Sequence, residues 1–204
     1  MSSEICLDPV KKVRDLGVMV SSDLTWSGHI GSMVSNARSK LSWIFSVFRT
    51  RDRAVMTTLY KSLVRSLLQY CCPLLNLSKV AKIQLIEGVQ RTFTSRVSGL
   101  KNLNYRERLS ELKLMSLQRR RERYIILMMW KILHNVVPNS SDIQFKTTHR
   151  HGVVAVVPPL SRSSSLHNQA LYDGSFTVIG PKLWNKVPQT VKAAEPFIKF
   201  KCSL

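Results

Sequence analysis

An apolar stripe of helical period constrains this chain more than any other feature. Trp26, Ile30, Met33, Val34, Ala37, Leu41, Ile44, Phe45 and Phe48 follow one another at steps of three or four residues, with two adjacent pairs. At 3.6 residues per turn that spacing puts all of them on one continuous face. The spacing predicts a helix over 26–49, only slightly weakened by Gly28 and Gly31 in its first turns.

Two further helices are predicted to cover that face. Over 53–70 the apolar residues come in pairs every four positions: Val55/Met56, Leu59/Tyr60, Leu63/Val64 and Leu67/Leu68. Such a band predicts a helix covered on two sides, with Lys61 and Arg65 sharing its open side. Pro73 ends it. Over 78–97, Val80, Ile83, Ile86, Val89, Phe93 and Val97 form an inner stripe. One core is expected from the three helices, with Ile30, Leu41, Ile44, Leu63, Ile86, Val89 and Phe93 in it.

Ahead of these helices, Leu16 to Val20 reads as a short strand. Behind them, Asn104-Tyr105-Arg106-Glu107 has the pattern of a capping box and predicts a short helix to about Leu112. The next helix is predicted from near Ser116 to about Asn135, with Arg119, Arg120, Arg121 and Arg123 in its first half and apolar residues in its second. Residues 138–168 are rich in Pro, Ser, Thr and His, which reads as a long loop with one strand at Val153–Val157. Ser175–Ile179 reads as a strand, Leu183–Val187 as a helical turn and Glu195–Lys201 as a terminal helix. The fold class is therefore mainly α: a three-helix bundle with further C-terminal helices, a short N-terminal strand and minor β structure in a loop-rich C-terminal part. The expected divisions are 1–24, 25–98, 99–137 and 138–204.

Composition narrows the function. The chain has 204 residues, 44% hydrophobic, enough for a packed core and too many for wholesale disorder. Lys and Arg number 31 against 12 Asp and Glu, a net charge of +19. The excess runs through the body of the chain, with net +6 over 36–65, +8 over 79–124 and +6 over 125–204. A folded domain with basic faces is expected, and a polyanion as its partner. Four scattered cysteines do not make a disulfide scaffold and suit a reducing compartment. Met1-Ser2-Ser3-Glu4 lacks the pattern of a signal peptide, and the apolar run Ile125–Val137 is well short of the ~20 residues of a membrane span. A nuclear or cytoplasmic protein without a membrane partner is the expectation.

Most catalytic chemistries find no residues here. The sequence contains no Asp-Asp pair, and Glu107 and Glu111 are four apart on one short helix, with ordinary pairing to neighbouring arginines as the preferred role. Cys71 and Cys72 are adjacent and read as small core residues, and His149 and His151 have no cysteine near them, so no zinc pattern is present. Gly-x-Ser-x-Gly and a Gly-rich phosphate loop are both missing. No catalytic residue, metal ligand or cofactor is assigned. Nucleic-acid contact has positive support, because basic side chains on phosphates supply affinity with little sequence preference. The candidate residues are Arg49, Arg51 and Arg53, then Lys61 and Arg65, then Arg119, Arg120, Arg121 and Arg123. Trp43 falls opposite the stripe of its own helix. Stacking on a base and burial under the downstream extension are both open to it, and burial is favoured.

The order of several short blocks resembles non-LTR (LINE-type) retrotransposon reverse transcriptases, most of all their jockey-like group. The blocks are Leu16-Gly17-Val18 with Leu24-Thr25-Trp26 and His29-Ile30, then Leu59 to Val64 with Gln69-Tyr70, then Ile86 to Thr94. Tyr105 to Leu109, Leu117 to Arg121, Trp184 to Pro188 and Phe200-Lys201 continue the series. The resemblance covers roughly residues 13–204. Gln69, Leu75 and Trp130 depart from it, standing where Glu, Trp and Tyr are usual. It implies the thumb and C-terminal part of an RNA-directed DNA polymerase, with fingers and palm lying before residue 1. Leu16 and Gly17 would then belong to the primer grip, and the helices between Trp26 and Val97 to the thumb. The chain by itself would be no enzyme, and would hold primer–template or other RNA or DNA through basic helix faces. Two alternatives stand beside this: a host-retained protein-interaction module, and part of an active polymerase whose palm lies on another chain or upstream exon.

Overall fold

The computed structural model describes residues 10–75, 80–160 and 165–204. It is mainly α, with two small two-stranded antiparallel sheets. Residues 1–4, Cys6, the start of the predicted 78–97 helix and Ser163–Ser164 lie outside the described residues.

The chain opens on a hairpin, β1 (Lys12–Asp15) against β2 (Val18–Ser21), with Asp15 opposite Val18. Leu16 and Gly17, expected from the sequence to lie in a strand, are instead the two-residue turn. Both have positive φ, 44° and 83°, as a primed turn requires if the strands are to keep their twist. Glycine takes that conformation readily; leucine does so at a cost.

Helix α1 (Ser27–Val47) buries Ile30, Met33, Val34, Ala37, Leu41 and Ile44. Against it lies the 53–70 segment, which divides into α2 (Arg53–Leu59), a π-helical turn (Tyr60–Val64) and α3 (Arg65–Gln69). The Arg65 N–H donates to the Tyr60 carbonyl, five residues back. The π turn resolves a conflict of period. Met56, Tyr60, Val64 and Leu68 are all buried at steps of four. In a regular α-helix each such step drifts by about 40°, so three would carry Leu68 off the core face. One inserted residue turns the helix back by about 100° and keeps the four aligned. Of the alternate members only Leu59 packs, partly buried, against the core: Leu63 is 38% exposed, and Val55 and Leu67 are exposed as well. The helix is covered on one side only, and Leu63 does not belong with Ile30, Leu41, Ile44, Ile86, Val89 and Phe93.

Helix α4 (Val80–Arg96) completes the bundle with Ile86, Val89 and Phe93. The Phe93 ring stacks on Tyr60 at 4.2 Å between centroids. Asn104 caps α5 (Tyr105–Glu111) as predicted: its side chain accepts from the Glu107 N–H at 3.0 Å, and the Glu107 carboxylate accepts from the Asn104 N–H at 2.8 Å. Ser116 caps α6 (Leu117–Leu133).

Two cores meet along α6. Leu112, Leu114 and Leu117 join the three-helix core. Leu127, Met129, Trp130 and Ile132 belong to a second one with Ile143, Ala155, Trp184, Ala194 and Phe200. The packing thus divides inside α6.

The C-terminal part is more ordered than its composition suggests. β3 (Gln144–Thr148) pairs with β4 (Gly152–Val156), and α7 (Leu166–Asp173) follows within the expected loop and beyond. The predicted strand at Ser175–Ile179 is the start of α8 (Phe176–Lys186). Its β-branched residues favour a strand, yet Val178, Pro181 and Trp184 recur at helical spacing and are buried, so packing overrides propensity. Gly180 lets α8 approach α6 closely, since a Cβ there would stand 2.7 Å from Met129 Sδ. Asn185 pairs with the edge of β4, accepting from the Ala155 N–H and donating to its carbonyl, both at 3.0 Å, while Trp184 Nε1 donates to the Val153 carbonyl. α9 (Gln189–Lys192) and α10 (Phe197–Ser203) close the chain.

Candidate nucleic-acid interface

The predicted basic residues separate into structural and free groups. Arg51 turns back on the end of α1, donating to the carbonyls of Phe45 at 2.9 Å, Thr50 at 3.0 Å and Phe48, and its guanidinium lies over the Phe45 ring. Helix C-termini leave such carbonyls without partners, so Arg51 acts as a cap. Arg53 joins α2 to α5 through Glu111 Oε2 at 3.0 Å and also donates to the Ser98 carbonyl. Arg49 is exposed beside them.

The four arginines of α6 divide among three sides of the helix, Arg119 and Arg123 on one and Arg120 and Arg121 on two others. At about 100° per residue they cannot share one face. Arg119 is exposed. Arg121 is only 6% exposed, and its guanidinium donates to the carbonyls of Cys72 and Leu75. It ties α6 to the chain that follows α3 and is withdrawn from the phosphate-binding candidates. Arg123 donates to the Lys201 carbonyl in α10.

Arg120 faces a groove. With Lys61 and Arg65 from the opposite wall, and Lys131 and Lys201 farther along, it lines an open groove of about 630 Å³. Tyr70, Tyr124, Leu127, Met128 and Phe197 line it as well, and no carboxylate is among the described residues that do. Two separate predicted clusters, Lys61/Arg65 and Arg120, are thereby brought together. Arg65 is held below the ordinary arginine range, first by burial and then by the positive charge of Arg120. Like charges set close together favour an anion between them. Arg120 donates to the Tyr124 hydroxyl at 3.0 Å, and its buried Nε has no hydrogen-bond partner among the described residues. The ion pairs among the described residues, Arg53–Glu111 and His134–Glu195, leave these five cations unneutralised.

Lys131 and Lys201 escaped sequence reading. Lys131 looked like a mere interruption of an apolar run, and Lys201 like the end of a tail helix. The signal for Lys131 was its register, since Arg120, Tyr124, Leu127 and Lys131 recur at three or four residues on one face.

Leu16 and Gly17, the primer-grip candidates, form the tip of the hairpin. Tyr70 holds that tip, donating its hydroxyl to the Leu16 carbonyl at 2.7 Å. A second hollow, of about 500 Å³, lies there against Gly17, Met19, His29, Leu67 and Tyr70. Ser66 and Tyr70 line both concavities. His29 Nδ1 accepts from the Met19 N–H at 3.3 Å, tying β2 to α1. Burial, then the charge of Arg14, lowers the pKa of His29.

Trp43 is not covered by the extension: it is 48% exposed, edge-on to Phe48 with Lys40 near its ring. It does not line the groove. Among the described residues no three His, Cys, Asp or Glu side chains group as metal ligands. No helix among them is long and apolar enough to cross a membrane.

Comparison with known proteins adds one relative to this geometry. The chain is 28% identical over 129 residues to uncharacterized protein B0403.1 of Caenorhabditis elegans, an alignment covering 62% of this chain and 63% of that protein. The match thus spans under two thirds of the relative's length. No family model matches the chain, and no solved structure matches it.

Proposed function

We propose that this chain binds RNA or DNA without sequence preference, as the thumb and C-terminal part of a reverse-transcriptase-like polymerase and not as a catalyst in its own right. The observation that carries the proposal is the groove in which Lys61, Arg65, Arg120, Lys131 and Lys201 converge without a carboxylate among its lining residues. Phosphates of a nucleic-acid backbone are the complementary surface, and such contacts confer affinity with little base discrimination. The polymerase part of the reading rests on the order of the sequence blocks and on a helical bundle preceded by a short β element.

The test is fluorescence anisotropy on two unrelated oligonucleotides across a salt series. Log affinity falls linearly with log salt, equally for both sequences. Joint substitution of Lys61→Gln, Arg65→Gln and Arg120→Gln flattens the slope by about two units on single strands, at ~0.7 per phosphate contact. An unchanged slope in the folded triple variant moves the binding face elsewhere. In the same preparation primer extension with Mg²⁺ or Mn²⁺ stays at the buffer blank, for want of the carboxylate set that holds two metal ions.

A further inference from the structure

Cations occupy only part of the groove. Its lining alternates charge with apolar and aromatic surface along α6, from Arg120 through Tyr124, Leu127 and Met128 to Lys131. At 1.5 Å per residue this stretch runs about 16 Å. Phe197 of α10 contributes another ring, with Lys131 Nζ 5.3 Å from its centroid. Tyr70 and Tyr124 are both exposed, and each points its polar end at a protein group, Tyr70 at Leu16 and Tyr124 at Arg120.

A duplex offers mainly sugar and phosphate to a groove of this kind, because its bases are stacked on one another. It would meet the five cations and leave the rings against water. A nucleotide with an unpaired base presents both an anion and an apolar face, and the groove has the size of a small-ligand site. We infer that the groove holds nucleotides whose bases are unpaired, with phosphate at Arg65 and Arg120 and base against the aromatic and apolar residues beside them. The chain therefore selects single strands over duplex. This rests on the nucleic-acid reading above and deepens it.

Anisotropy titrations with the full chain separate the two. One labelled oligonucleotide is titrated alone and annealed to its complement at a single salt concentration. The single strand binds about tenfold more tightly. Tyr124→Ala removes about that factor from single-strand affinity with the salt slope unchanged, while Tyr124→Phe, which keeps the ring and loses the hydroxyl, restores it. Circular dichroism confirms that both variants fold. Equal affinity for duplex and single strand, or wild-type binding by Tyr124→Ala, overturns the inference and leaves the nucleic-acid reading standing. Binding to neither form overturns that reading and this one with it. Competition distinguishes the source of the nucleotide: displacement by adenosine monophosphate beyond that by inorganic phosphate shows that free nucleotides are held. Resistance to it alongside single-strand preference shows that the strand is the ligand.

Discussion

The hydroxyl of Tyr60 donates a 2.8 Å hydrogen bond to Gln90 Oε1, and both side chains are wholly inside the three-helix core. Gln90 Nε2 in turn donates to the Tyr105 hydroxyl at 3.1 Å and the Met115 carbonyl at 3.0 Å. Tyr105 donates to the buried Glu87 carboxylate, whose other oxygen accepts from the Leu117 N–H at 3.0 Å. One polar chain thus fastens the π turn, α4, α5 and the start of α6 together. Burial, then the charges of Tyr105 and Glu87, raise the Tyr60 pKa, so its hydroxyl stays a donor. Such a network is costly if any member is left unpaired.

Tyr60→Phe keeps the stacked ring and strands Gln90 Oε1 in the core. The expected loss of stability is about 1–3 kcal/mol, read from urea unfolding at neutral pH. A loss below about half a kcal/mol means that the bond carries no weight.

Arg121 is expected to behave as a core residue although its neighbours are surface cations. Arg121→Gln leaves the Cys72 and Leu75 carbonyls without their charged donor and costs about 2 kcal/mol. Arg119→Gln, on the exposed side, stays within about half a kcal/mol of wild type. Equal effects at the two positions would contradict the assigned orientation of α6.

The π turn makes a register prediction. Met56→Ala, at a fully buried position, is expected to cost about 2–5 kcal/mol. Leu63→Ala, four residues before the exposed Leu67, is expected to cost less than about 1 kcal/mol, because its side chain already meets water. Reversal of this order would show a regular α-helix through Tyr60–Val64.

His29 gives stability a pH dependence. Its pKa is lowered in the fold, so the unfolded chain takes up the proton first and folding favours the neutral ring. The contribution is complete above the ordinary value near 6.5 and is lost as pH falls through the lowered folded value. Protonation also removes the Nδ1 acceptor from the Met19 N–H. His29→Asn supplies an acceptor that does not titrate. The difference in urea midpoint between wild type and His29→Asn is therefore expected to change with pH below about 6.5 and to be constant above it. A difference that is flat across both ranges would exclude a role for this histidine.

The sequence by itself determined the helical character, the stripe on α1, the stripe on α4 except for Val80, which is 66% exposed, the cap at Asn104, and the excess of positive charge. Each is a local signal, since a period, a capping pattern and a charge count need no knowledge of neighbours. Only the tertiary structure decided which partners those signals meet. Leu63 and Val64 look alike in a list of apolar pairs, and a single inserted residue in the helix puts one outside and the other inside. Arg120 and Arg121 are adjacent in the chain, yet one faces a groove and the other bonds to carbonyls some 46 to 49 residues away. Ser175–Ile179 carries strand propensity and becomes helix because Val178, Pro181 and Trp184 have a core to fill. The groove itself joins segments separated by more than a hundred residues, from Lys61 to Lys201. Such a site exists only once long-range packing has set its walls, so its residues could be guessed singly from charge but not assembled.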